Sequence, residues 1–319
     1  MPIAPLSRRQ LLAASALAPL AGVASSQAHD AVAAAATPVR FCLNTSTVRG
    51  QNLSVPEQIK VAAEAGYDGI EPWLRDIDAY VESGGTLAEL KSQLDDAGLR
   101  VESAIGFAKW SVNDDAERAE GLKTMRKDMQ TLAAIGGTRI AAPPIGMHTP
   151  DAPSLVLDDA AERYAAILTL GRELGVTPQL EIWGFSKNLS KLAEVMYVAT
   201  AAADDSVRIL PDIYHLHRGG NSFDSLGMLP GTAVECFHLN DVAFTKPAAE
   251  MNDADRVYPG EGDAPIAACL RTLAASGFAG ALSLELFNRD YWEQPAAAVA
   301  RRGLESMRTV AAEAGLPLA

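Results

Sequence analysis

Cysteine is scarce in this chain of 319 residues, which holds only Cys42, Cys236 and Cys269. An odd number, no CxxC spacing and apolar surroundings exclude a disulfide framework, and all three are expected to be small buried hydrophobes. Basic residues are also short, 27 Lys+Arg against 40 Asp+Glu, for a formal charge of −13. Nucleic-acid binding draws most of its affinity from Lys and Arg on phosphates, so a nucleic-acid partner is excluded. The apolar run Leu11–Ala24 falls short of the roughly 20 residues a membrane-spanning helix needs. A Gly-rich phosphate loop is missing after the first β-rich run, where Asn44-Thr45-Ser46-Thr47 stand. What remains, 48% hydrophobic and 21% charged, is an ordinary globular composition, which rules out wholesale disorder and fibrous classes.

The first 28 residues read as an address. Ser7-Arg8-Arg9-Gln10-Leu11-Leu12 precede the apolar run, and Ser26-Gln27-Ala28 fits a small-residue cleavage site. The Arg8-Arg9 pair resembles the twin-arginine export signal. That reading stands ahead of an export signal for unfolded chains and of an Ala-rich helix belonging to the domain. The expectation is a signal over 1–28, a linker over 29–38, a catalytic domain over 39–319, a periplasmic location and no membrane insertion once the signal is removed. The route carries folded proteins, which suits an enzyme that loads a metal before export.

From Pro38 onward, short β-rich runs alternate with longer helical patterns. Strands are predicted over Val39–Leu43, Gly69–Trp73, Arg100–Ile105, Thr138–Ala142, Pro178–Ile182, Val207–Ile213, Ala233–Leu239 and Ala281–Leu286. Helices are predicted over Val55–Ala65, Thr86–Ala97, Ala119–Ile135, Ala160–Leu174 and Pro265–Ala275, each followed within two residues by Gly. Strands apolar on both faces and separated by helices imply a parallel sheet. Eight such units in about 280 residues predict a single α/β domain, a (β/α)₈ barrel, over a doubly wound open sheet. Functional side chains then belong at the C-terminal ends of the strands.

Those ends carry an unusual set. The last four runs contribute Glu181 in LEIWG, Asp212 with His215 in PDIYH, His238 in FHLND and Glu285 in LSLELF. Charges amid apolar neighbours must be paired or bind a metal. Separate core salt bridges with Arg208 and Arg256 are one reading. Three carboxylates sharing a mouth would repel and raise one another's pKa, however, and a divalent cation removes that conflict. An oxygen-rich set with one imidazole suits a hard or borderline ion: Mn²⁺ first, with Mg²⁺ or Co²⁺ as alternatives.

These four motifs resemble the xylose-isomerase-like barrels grouped as sugar phosphate isomerases and epimerases, and the resemblance covers essentially the whole mature chain. It implies one divalent ion held by Glu181, Asp212, His238 and Glu285, with His215 contacting substrate. It further implies a small-molecule carbohydrate substrate and isomerisation or epimerisation of a keto-sugar or keto-polyol through an enediolate, with Glu181 and Glu285 moving the proton. With a leaving group β to that proton, the same site would act as a lyase or hydratase on oxidised (3-keto) glycosides. A non-catalytic sugar-binding barrel is the third reading. Lys187 stands where related epimerases often carry a second Glu, which makes it a substrate-side candidate.

Further candidates follow from position. Arg256, in the long loop after the seventh run, reaches substrate or a salt bridge, and Asp263 is expected to cap the next helix. Glu71 accepts substrate hydroxyl bonds or pairs with Arg75 or Lys109. Trp73, Trp183, Phe107 and Trp110 fall just after strands and suit the apolar face of a sugar. His217, Arg218 and His148 lie on loops near the mouth. The family resemblance places Asn288, Arg289 and Trp292 at the rim, where a homo-oligomeric contact would form.

Overall fold

A computed structural model describes residues 38–318. The expected signal (1–28) and all but the last residue of the linker (29–38) lie outside the described residues. Ten strands run in chain order: β1 (Arg40–Asn44), β2 (Gly69–Glu71), β3 (Arg100–Val101), β4 (Arg139–Ala142), β5 (Thr177–Glu181), β6 (Arg208–Leu210), β7 (Cys236–Leu239), β8 (Asp241–Val242), β9 (Arg256–Val257) and β10 (Ala281–Leu284). The helices are α1 (Val55–Ala65), α2 (Leu74–Glu82), α3 (Leu87–Asp96), α4 (Asp115–Ala134), α5 (Leu157–Leu174), α6 (Leu192–Ala201), α7 (Ile213–Arg218), α8 (Ile266–Ala275), α9 (Arg289–Trp292) and α10 (Ala296–Glu313).

Eight strands form the staves of a barrel. Five pair in parallel in the order β3-β2-β1-β10-β7 and three in the order β4-β5-β6. Two contacts close the ring. Ala141 N donates to Ala104 O at 2.9 Å, and Asp212 pairs in parallel with His238, whose N–H reaches Pro211 O at 3.0 Å. The expected eight runs are therefore the eight staves. The remaining pair, β8 and β9, makes a short antiparallel ladder in the loop after β7.

Local sequence explains where staves stop. The second and sixth runs extend as predicted only to Glu71 and Leu210, because Pro72 and Pro211 follow and lack the N–H a ladder needs. The third run leaves the ladder after Val101, though Ile105 N still donates to Pro72 O at 3.0 Å. On the outside, α1 starts at a Ser54–Glu57 capping box and ends at Gly66, and α5 ends at Gly175. Both glycines take a positive φ (90° and 72°) that a Cβ would oppose. Helices α2, α6 and α10 escaped the sequence reading; α6 lacks a glycine stop, whereas Gly84, at a positive φ, follows α2.

The main core is a large cluster of buried Leu, Ile, Val and aromatic side chains between staves and helices, with a smaller one around Trp73, Ile105, Ala141, Leu210 and Cys236 and another around Tyr214, Val242 and Met251. All three cysteines are buried and free. At the N-terminal end of the barrel Arg40 pairs with Glu102 at 2.6 Å, and Arg208 with Glu235 at 2.6 Å. Arg139 reaches both glutamates. Arg208 is thus spent far from the mouth, and the acids at the C-terminal ends are left to one another. Among the described residues no helix is long and apolar enough to cross a membrane.

Candidate active site

His238, fully buried on β7, is the hub at the C-terminal end of the barrel. Its Nδ1 faces Glu285 Oε2 at 3.2 Å, Asp212 Oδ2 at 3.8 Å and Glu181 Oε1 at 4.0 Å. The four residues expected to share an ion are therefore brought together, each from its own stave end. Asp212, His238 and Glu285 offer ligand atoms within 4.8 Å of one another. Two buried atoms in this cluster, His238 Nδ1 and Glu181 Oε2, have no hydrogen-bond partner. Partnerless polar atoms of this kind are costly in a dry interior, and a cation that displaces the imidazole proton would satisfy both. The donor set fits a divalent ion.

The ring's other nitrogen explains its orientation. His238 Nε2 lies 3.0 Å from Glu71 Oε2. That carboxylate also accepts from Ser283 Oγ at 2.6 Å and from Asn44 Nδ2 at 2.9 Å. Glu71 was expected to meet substrate hydroxyls or to pair with Arg75 or Lys109. Instead it lies buried behind His238, holding the imidazole so that Nδ1 points at the other acids. Arg75 pairs with Asp76, and Lys109 with Glu117.

Arg256 arrives on the loop after β7. Its Nη1 donates to Asp212 Oδ2 and to Glu285 Oε2, each at 2.8 Å, and its Nη2 to Asp253 Oδ1 at 2.8 Å. Of the two readings for Arg256, the salt bridge is realised, and its side chain also lines the cavity. Asp241 anchors this loop: its carboxylate accepts from the backbone N–H groups of Val242 (2.8 Å), Gly260 (2.9 Å) and Ala264 (3.1 Å). A Cβ on Gly262 would lie 2.4 Å from Asp241 Oδ1. Asp263 does not cap α8, whose N-cap is Pro265; its Oδ2 accepts from Phe244 N at 2.7 Å, tying down the same loop.

Nη2 of Arg256 also lies 3.2 Å from His215 Nε2. A guanidinium only donates, so Nε2 accepts and the His215 proton belongs on Nδ1, which has no partner in the structure. Burial and the Arg256 charge hold His215 well below the ordinary imidazole range, so it is neutral.

Burial disfavours charge throughout the cluster, and neighbours decide the outcome. It pushes Glu181 up to about 8, with the Glu285 charge adding to the effect. It also raises Asp212, against the pull of Arg256. Glu285 resists burial because His238 and Arg256 hold it well below the usual carboxylate range. His238 likewise stays protonated, despite burial, between Glu285 and Glu71. The two glutamates therefore differ: Glu181 holds a proton near neutral pH, while Glu285 is a clamped anion.

Above the cluster opens a cavity of about 370 Å³, lined by Glu181, His215, Arg256, Glu285 and an aromatic wall. Trp73, Phe107 and Trp183 belong to that wall, with Phe107 centred 5.1 Å from Trp73 and 6.3 Å from Trp183. Trp110 does not; it is buried against Tyr164, and its Nε1 donates to Pro143 O at 2.8 Å. Lys187 is also absent from the lining: its Nζ bonds the Ala152 carbonyl and its backbone N donates to His148 O at 3.0 Å. It braces the loop after β5 because that segment packs against the loop after β4. His217 stacks on Phe244 and Arg218 donates to Met251 O, both outside the cavity lining. Arg49, Phe185 and Phe287 escaped the sequence reading, as did Asn252, Asp253 and Ala254, since single residues in a loop carry no periodic signal.

The model of the xylose isomerase-like TIM barrel family matches residues 59–310. An inosose isomerase of Bacillus velezensis is 23% identical over 275 residues, covering 85% of this chain and 97% of the relative. A 3-dehydroshikimate dehydratase of Pseudomonas aeruginosa is 23% identical over 80% of this chain and 39% of its own length. Among solved structures, the IolI protein with a bound zinc atom superposes with a TM-score of 0.80 at 20% identity, covering 86% of this chain and 99% of that one.

Proposed function

We propose, because this chain belongs to the xylose isomerase-like TIM barrel family, that it is a divalent-metal-dependent isomerase or epimerase of a keto-sugar or keto-polyol. The observation that carries the reading is the convergence of Glu181, Asp212 and Glu285 on an unsatisfied, buried His238 Nδ1. Those four residues would hold the ion, with Mn²⁺ favoured by the oxygen-rich set. When bound, a divalent cation makes a carbonyl more electrophilic and its neighbouring C–H more acidic.

The chain's own groups do the rest. Glu285, the anion, takes the proton from the carbon beside the ketone, leaving an enediolate, and Glu181, which holds a proton, returns one from the other side. Return to the same carbon epimerises it; delivery to the adjacent carbon isomerises the sugar. His215 Nδ1–H donates to the substrate oxygen on which charge develops. Trp73, Phe107 and Trp183 cover the apolar face of the sugar and keep water from the carbanion.

The test is proton exchange in D₂O with Mn²⁺ and a keto-sugar panel that includes 3-keto-glucosides. Deuterium entering beside the ketone without fragment loss supports the reading. Glu181→Gln and Glu285→Gln are each expected to abolish exchange with circular dichroism unchanged; wild-type rates in either variant remove that residue from the mechanism. The dehydratase relative favours a second reading, a lyase on oxidised (3-keto) glycosides, which would show as release of the leaving group. For the leading segment we propose twin-arginine export to the periplasm. Lysine at both Arg8 and Arg9 is expected to strand the chain in the cytoplasm on cell fractionation, and unchanged export would refute that route.

A further inference from the structure

Arg49, in the loop after β1, lines the cavity. Its guanidinium carbon sits 3.7 Å from the Trp73 ring centroid and 5.2 Å from that of Phe287. Nε and Nη2 are buried with no hydrogen-bond partner. The acids around this wall are already committed, Asp76 to Arg75, and Asp253 and Glu285 to Arg256. Arg289 lines the same cavity, its guanidinium 4.2 Å from the Trp292 ring centroid, and it too has no ion pair among the described residues. Burial and the nearby Arg75 and Arg289 charges pull Arg49 down to about 10, as expected of a cation lacking its counter-charge.

In a chain with 13 surplus negative charges, two cavity arginines without acids need an explanation. A guanidinium stacked on an aromatic face is held flat with its N–H edges in plane, a shape that recognises a carboxylate or a phosphate. We propose that Arg49 and Arg289 form an anion subsite, and that the substrate is an acidic keto-sugar whose oxyanion rests on this wall while its ketone end faces Glu181, His215 and Glu285. The ketone end rests on the isomerase reading above; the anionic end rests on Arg49 and Arg289.

The two can be tested apart. Tryptophan fluorescence of the Mn²⁺-loaded full chain reports on Trp73 and Trp292 during titration with three probes: D-fructose, D-fructuronate (its C6 carboxylate) and D-fructose 6-phosphate. At least one anion is expected to bind tenfold or more tightly than D-fructose, and which one does so separates carboxylate from phosphate. Arg49→Leu is expected to cut that preference at least fivefold, Arg49→Lys to keep part of it, and Arg289→Leu, at an exposed position, to weaken it without threatening the fold. Equal affinities for all three probes, no saturable binding of either anion, or a preference that survives both leucine variants would overturn the subsite. Proton exchange into D₂O follows the other claim. Selective anion binding without exchange sinks the isomerase reading and leaves the subsite standing; exchange without selectivity does the reverse.

Discussion

Glu71 shows how far one side chain's role depends on its neighbours. A carboxylate at a strand mouth looks like a substrate contact, but Ser283, Asn44 and His238 saturate it. Its charge fixes the tautomer and tilt of His238, the proposed ligand, and such partners typically change metal affinity 10–100-fold when removed. Glu71→Gln is therefore expected to weaken Mn²⁺ binding by about that factor in a calorimetric titration, with the fold intact. An affinity within twofold of wild type would return Glu71 to the role of simple core filler. The four acid and imidazole positions were legible because each stands alone in an apolar strand end. Glu71, Arg49 and Asp241 were not, because their roles come from partners far along the chain: Glu71 meets Ser283, and Asp241 meets Ala264.

Among the elements, α4 carries a buried acid that the site does not use. Asp128 is 6% exposed, and burial raises its carboxyl to about 7, with the Asp78 charge adding to the effect. Because the folded-state value lies above the unfolded one, the group costs nothing below about pH 4. The cost grows as pH rises and is complete above about 7. Asp128→Asn is expected to gain roughly 2–4 kcal/mol at pH 8 and only about 1 kcal/mol at pH 4.5, read by urea unfolding at both values. Equal effects at the two pH values would mean the carboxylate is not desolvated. Strands were legible where Gly and apolar runs bounded them, and their ends were misjudged where a proline cut the ladder. Helix α6 was missed because no glycine of positive φ closes it.

For the whole barrel, the core that holds the staves lies between them and the helices and does not depend on the acid cluster. Chelation with EDTA is thus expected to end activity and leave the far-ultraviolet circular dichroism unchanged, and Mn²⁺ to restore activity. Ion at a hundredfold excess over its dissociation constant should also add about 2.7 kcal/mol to stability, as any ligand of the native state does. No thermal shift on adding Mn²⁺ would argue against the ion site itself. The fold as a whole was readable because eight βα units leave few alternatives, whereas the contents of the mouth depend on loops of irregular sequence.

Asp241 holds the loop after β7 by main-chain N–H groups alone, with Gly262 the one position forced by crowding. An anchor of this kind is indifferent to what the intervening side chains are. Residues 244–252 can drift over generations without unseating Arg256 so long as Asp253 keeps its ion pair. On the proposed function, descendants of this barrel can therefore change substrate by rewriting a single segment while Glu181 and Glu285 beneath it stay as they were.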